Sequence, residues 1–239
     1  INSWSKMKSI RIGEHCIGAG QPCFVIAEAG VNHNGDPALA EKLVDAAADA
    51  GADAVKFQTF KADKLAVESA PKADYQSRGT NAAESQIAMF RRLELSEQAH
   101  RDLMTRCARR NILFLSSAFE EDSADLLNRL GVVAFKIPSG EITNFPLVEH
   151  VARFGKPLIV STGMATEEEV AAVAEAIRGA GNEQISFLQC TSAYPADPAD
   201  VNLRAMQTMA KTFGVPVGYS DHTLGIEVAL ASVAGIAAG

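Results

Sequence analysis

The chain has 239 residues, 47% of them hydrophobic, and a formal net charge of −7. That supplies one large core or two small ones, while an acidic balance with no basic block excludes recognition of a nucleic-acid backbone, which needs clustered Lys and Arg. Cys16, Cys23, Cys107 and Cys190 form no C-x-x-C pair, and no apolar run approaches a membrane span, so the composition reads as a cytoplasmic protein with reduced thiols and no membrane partner.

The opening "INSWSK", ahead of Met7, reads as added sequence and is set aside. "SIRIGEHCIGAG" (9–20) predicts a small hairpin, and "CFVIAEAG" (23–30) the first buried strand. In "DPALAEKLVDAAADAG" (36–51) Asp36 suits an N-cap, Pro37 the first helical position and Gly51 the place just past the end. A strand follows at "DAVKFQTF" (53–60), then a polar excursion from Lys61 to about Leu95. A helix opens at Ser96. Further strands are predicted at 111–117, 132–140, 156–163, 184–192 and 215–220, with helices at 120–131, from about Asn144, at 166–181, at 200–214 and from near Gly225. Thr166 and Glu169 have the spacing of a capping box.

The strand runs are apolar throughout, as in parallel strands covered on both faces. Strict alternation with helices implies a parallel α/β fold of about seven βα units. A doubly wound sheet carries its Gly-rich turn after the first strand, but here "IGAGQP" (17–22) precedes it. The preferred fold is therefore a (β/α)8 TIM barrel, which takes about 250 residues. Residues 1–22 would be added sequence and the hairpin, and residues 23–239 the barrel. An eighth strand is missing from this count, and an open sheet would leave bare edges. The expectation is a barrel truncated after its seventh unit, within a longer protein.

Polar residues collect where the strands end, on the side where barrel enzymes build their sites. They are Glu28; Lys56 and Gln58; Ser116 and Ser117; Lys136, Ser139 and Glu141; Ser161 and Thr162; Thr191, Ser192 and Tyr194; and Ser220, Asp221 and His222. Lysine is rarely buried unpaired, so "AVKFQ" and "AFKIP" are unusual contexts. Lys56 and Lys136 either meet an anion there or pair with a local carboxylate. By itself Glu141 could be a solvated loop residue, and His222 a turn histidine. His33 reads as a loop residue, His15, His100 and His150 as structural, and the Cys190 thiol as a small packing group.

The segments "FVIAEAGVNHNGD", "GADAVKFQTFKADKL", "APKADYQ", "FKIPSGEITNFPL", "STGMAT", "QCTSAYP", "DVNLRAM" and "GYSDHTLG" occur in this order. Together they resemble the sialic acid synthase family, the N-acetylneuraminate synthases and relatives that make legionaminic and similar acids. The resemblance runs from about Met7 to about Leu230; the tail "SVAGIAAG" departs from the family pattern. It implies a barrel followed by an antifreeze-like domain in a domain-swapped homodimer. The implied reaction condenses phosphoenolpyruvate with an amino-sugar aldose such as N-acetylmannosamine, with the help of a divalent metal, Mn2+ or Mg2+. Carried over by motif, Lys56, Ser117, Lys136, Ser139, Ser192 and Ser220 would hold phosphoenolpyruvate. Glu28, Gln58 and Tyr194 would contact the sugar, Glu141 would be the catalytic carboxylate and His222 a metal ligand. The alternatives are a Schiff-base aldolase, another phosphoenolpyruvate-condensing barrel that takes a phosphorylated aldose, and a non-catalytic sugar-phosphate-binding barrel.

Overall fold

The computed structural model describes residues 8–68, 70 and 84–237. "INSWSK" and all but the first residue of "APKADYQ" lie outside them. Among the described residues the strands in chain order are β1 (Ile10–Ile12), β2 (His15–Ile17), β3 (Ile26–Gly30), β4 (Ala54–Thr59), β5 (Leu113–Ala118), β6 (Phe135–Ile137), β7 (Leu158–Ser161), β8 (Ile185–Cys190) and β9 (Val217–Ser220). β1 and β2 form the expected antiparallel hairpin. Each strand from β3 to β9 is followed by at least one helix. The contacts divide the chain into two compact units, one made of Val25–Val132 and the other of the segments flanking it.

In the Val25–Val132 unit, β3, β4 and β5 pair in that order, all parallel. Asp36 caps the helix Pro37–Asp49 by accepting the Ala38 N–H, and Pro37 opens it. Gly51 follows with φ +78°. The helix Glu97–Arg110 is capped by Ser96 and stopped by Asn111 in the left-handed region. The two helices lie against each other, and Arg106 grips Asp45 through both nitrogens of its fork, with Nε to Oδ1 at 2.9 Å. Beneath them Phe57 and Phe114 stack with ring centroids 5.7 Å apart. The excursion after β4 holds two elements that its polarity hid, Ala62–Leu65 and Gln86–Leu93. The second rests Met89 and Leu93 on Phe60.

In the flanking unit β6, β7, β8 and β9 pair in order, again parallel. β6 starts three residues later than the predicted run and stops at Ile137, because Pro138 lacks an N–H and the chain goes straight into a 3-10 turn at Ser139–Glu141. The capping box of Glu167–Gly179 is complete, with the Thr166 and Glu169 side chains each bonded to the other's backbone N–H. Buried Asn182 satisfies its whole amide: Nδ2 donates to the carbonyls of Ala152 and Lys156, and Oδ1 accepts from Gln184. No helix among the described residues is long and apolar enough to cross a membrane. The four cysteines are free thiols.

Two histidines of the Val25–Val132 unit are fully buried, His33 and His100. The carbonyl of Ser96 can only accept, so His100 Nδ1 carries the proton in their 2.8 Å bond. In the neutral ring Nε2 then accepts from Thr59 Oγ1 at 2.8 Å, and Thr59 accepts from Ser116 at 2.7 Å. Burial lowers both histidine pKa values below the ordinary range. The unfolded chain therefore binds these protons more readily, and the stability they support is present above pH 6.5 and lost as pH falls. Urea unfolding at pH 7.5, 6.5 and 5.5 is expected to show ΔG dropping by up to about 1.4 kcal/mol per pH unit for each histidine. A flat profile over that range would remove the assignment.

Candidate functional site

A parallel strand covered on both faces offers its polar side chains room only near its ends. In the Val25–Val132 unit, Glu28 and Lys56 are register partners on β3 and β4 and form an ion pair. The lysine side chain is 13% exposed and the glutamate side chain 49%. Lys56 thus has a local carboxylate beside it. Gln58 lies two residues along β4 on the same face, opposite Ser117 of β5. The left-handed Gly30 sits beside them: a Cβ there would stand 3.1 Å from Glu28 Oε1 and 3.8 Å from Gln58 Nε2. Strand parity separates the neighbouring serines, since Ser116 belongs to the His100 network.

In the flanking unit Lys136 is 4% exposed, and its ammonium donates to the Ile137 carbonyl at 2.8 Å. Past β6, Ser139 Oγ accepts from the Gly163 N–H at 3.0 Å and donates to Cys190 Sγ at 3.6 Å. Glu141 is partly buried, and its Oε2 accepts from Asn144 Nδ2 at 2.8 Å. Ser192 approaches Gly163 from just past the end of β8. Ser220 ends β9 in register with Cys190. Tyr194 packs against His222 with ring centroids 4.3 Å apart and the ring planes tilted by 37°.

His222 Nδ1 donates to the Thr191 carbonyl at 2.7 Å, with Cys190 Sγ 3.9 Å from the same nitrogen. The sulfur contact raises the imidazole pKa, burial opposes it, and the Thr191 carbonyl adds to the rise. Burial pushes the Cys190 thiol up, and its contacts with His222 and Ser139 outweigh that and lower it. Cys190 is therefore more than filler: it joins a strand-end hydroxyl to the histidine. Its place at a strand end, between Gln189 and Thr191 and two residues before Ser192, is the sequence signal that could have found it.

A divalent metal is implied for His222. The imidazole fits the role of a single ligand, since a carbonyl fixes its tautomer and Nε2 makes no hydrogen bond among the described residues. No group of three or more His, Cys, Asp or Glu among those residues is placed to hold an ion. A cavity of about 360 Å3 in the Val25–Val132 unit is lined by Lys61, Glu97, Asp122 and Arg129 among others, and by none of the predicted site residues.

The family model described as the NeuB family matches residues 43–238. The chain is 50% identical over 213 residues to the N,N'-diacetyllegionaminic acid synthase of Campylobacter jejuni, covering 88% of this chain and 64% of that protein. It is 51% identical over 215 residues to the synthase of the same name from Legionella pneumophila, covering 88% and 60%. The chain thus spans about three fifths of the length of these curated relatives. The solved N-acetylneuraminic acid synthetase of Leptospira borgpetersenii, in complex with citrate, superposes with a TM-score of 0.86 at 33% identity, over 95% of this chain and 75% of that one. With the alternation of parallel strands and helices, this likeness identifies the fold class as the α/β barrel of (β/α)8 type.

Asn144 serves Glu141 and also caps the helix Phe145–Ala152, its Oδ1 accepting from Leu147. Asn144→Ala is expected to lose about 1 kcal/mol of stability in urea. Asn144→Asp keeps the cap but sets two carboxylates against each other, so in urea at pH 7 it is expected to be less stable than Asn144→Ser, which keeps a capping oxygen without the charge. Equal stability of the two variants would dissociate Asn144 from Glu141.

Proposed function

The chain belongs to the NeuB family, and from that premise we propose that the whole protein condenses phosphoenolpyruvate with a 2-acetamido aldose, giving a nonulosonic acid and inorganic phosphate. The observation that carries this reading is the run of contacts from Ser139 through Cys190 to His222. It joins an anion-seeking hydroxyl to an imidazole with an open nitrogen, the two kinds of group that a phosphoester and a sugar carbonyl require. Identities of 50% and 51% to diacetyllegionaminic acid synthases, against 33% to an N-acetylneuraminic acid synthetase, favour a 2,4-diacetamido-6-deoxy aldose over N-acetylmannosamine.

In this reading Lys136, Ser139, Ser192 and Ser220 hold the phosphate and carboxylate of phosphoenolpyruvate, with Lys56 and Ser117 in the same role in the Val25–Val132 unit. Glu28, Gln58 and Tyr194 contact the sugar. In this reading Lys136 is a charge clamp and not a Schiff-base nucleophile. A divalent metal, Mn2+ or Mg2+, held through His222 Nε2, would act as a Lewis acid for the aldehyde oxygen. The enol carbon attacks the aldehyde carbon, and the new alkoxide takes up a proton. Water adds at the electron-poor carbon beside the phosphate, and Glu141 accepts its proton. The C–O bond to phosphate then breaks, its electron pair leaves with the phosphate, and the hydroxyl on the same carbon gives its proton to the solvent as its oxygen becomes the keto oxygen. The swapped homodimer belongs to the same reading.

Phosphate release by the whole protein, assayed with phosphoenolpyruvate and each sugar in turn, is expected to be faster with the diacetamido sugar and abolished by chelator. No release with either sugar under any divalent metal would sink the reading. Lys136→Ala is expected to raise KM for phosphoenolpyruvate at least about tenfold, as loss of a charged hydrogen bond does. Unchanged kinetics would take Lys136 out of the site.

A further inference from the structure

After β7 the chain makes a four-residue turn, Thr162–Ala165, closed by the Ala165 N–H on the Thr162 carbonyl at 3.2 Å. Thr162 is itself pinned, its N–H and its hydroxyl both donating to the Leu188 carbonyl at 3.0 and 3.1 Å. The left-handed residue of the turn is Met164, with φ +64° and 74% exposure. Turns of this kind favour glycine at that third position. The glycine stands one place earlier, at Gly163, where φ is not positive. Backbone conformation therefore asks for glycine at 164 and not at 163.

Space gives the reason for Gly163. A Cβ there would stand 2.5 Å from Ser192 Oγ, 2.9 Å from Ser139 Oγ and 3.0 Å from Cys190 Sγ. These atoms come from three places: just past β6, the last residue of β8, and two residues beyond it. The Gly163 N–H also donates to Ser139 Oγ at 3.0 Å, which leaves that hydroxyl's proton directed at Cys190.

We propose that Gly163 is a positioning residue for phosphoenolpyruvate. Its bare Cα lets the Ser139 and Ser192 hydroxyls stand side by side, and its N–H sets the direction of the first. This rests on the reading that those hydroxyls bind phosphoenolpyruvate. A methyl group at 163 can be accommodated only by turning serine hydroxyls into other rotamer wells. Serine turns easily, so the fold survives and the hydroxyl placement does not. Gly35 makes the contrast: a Cβ there would run into the backbone carbonyl of Arg92, which cannot turn aside.

The test compares Gly163→Ala and Met164→Gly with the parent in the whole protein, reading melting temperature with and without phosphoenolpyruvate and KM for each substrate. Gly163→Ala should raise KM for phosphoenolpyruvate at least about tenfold, leave KM for the sugar within about twofold, and lose the phosphoenolpyruvate-induced rise in Tm. Met164→Gly should raise Tm, because it removes a side chain from the left-handed region. A Gly163→Ala variant with the parent's KM and ligand-induced Tm rise overturns the proposal, and so does a fall in Tm for Met164→Gly. If Gly163→Ala alone lowers Tm by more than about 5 °C, Gly163→Ala/Ser192→Gly decides, since it clears the closest contact. Recovery of Tm supports the steric account, and no recovery overturns it. If the parent itself shows no Tm rise with phosphoenolpyruvate, the functional reading falls and takes this inference with it, whereas a parent that responds isolates the failure to Gly163.

Discussion

Burial of both faces of a parallel strand is the constraint from which the rest follows. Such a strand has no wet side, so its interior positions fill with apolar residues. Phe57, Val55, Phe135, Phe187, Val160 and Ile185 are all shut away from water. Polar side chains are pressed toward the strand ends, where a loop takes over. The same pressure produces the two lysines set in apolar strands, Lys56 and Lys136. Neither stands unsupported: one is matched by Glu28 and the other rests on a carbonyl of its own strand. An acidic chain thus holds positive charge where the surroundings strengthen it most.

Much of this was legible in the sequence because it is written locally. The caps at Asp36, Ser96, Asn144 and Thr166 depend on a side chain reaching a backbone N–H two or three residues on, and nothing distant competes. The order of strands and helices follows from apolar periodicity alone. Less was legible where two rules conflict. β6 begins only at Phe135 although the apolar run opens at Val132, and Pro138 ends it; the helix Gln86–Leu93 lies in a stretch whose polarity reads as loop. Its apolar residues Ile87, Ala88, Met89 and Phe90 are consecutive and so mark no helical period, and only Ile87, Met89 and Leu93 are buried.

The candidate site was legible as a set of residue types and not as a set of contacts. Ser116 and Ser117 look alike in the sequence, and parity divides them, one joined to Thr59 and His100 and the other opposite Gln58. Cys190 reads as a small hydrophobe because a free thiol usually behaves as one, and its role comes from Ser139 and His222, 51 and 32 residues away. Gly163 carries no side chain for any pattern to notice. Its significance is an empty volume, which only the atoms around it define.

The buried network around His100 has a direction. Its protons run from Ser116 to Thr59, from Thr59 to the imidazole, and from the imidazole to the Ser96 carbonyl. A chain of this kind has a beginning, an end and a middle, and they are not equally replaceable. Removing the hydroxyl at the start withdraws one donor. Removing the one at Thr59 strands a donor on one side and an acceptor on the other, both inside the buried core. Threonine and valine are nearly the same shape, yet at this position the exchange breaks the sentence in its middle, while alanine in place of Ser116 only drops its first word.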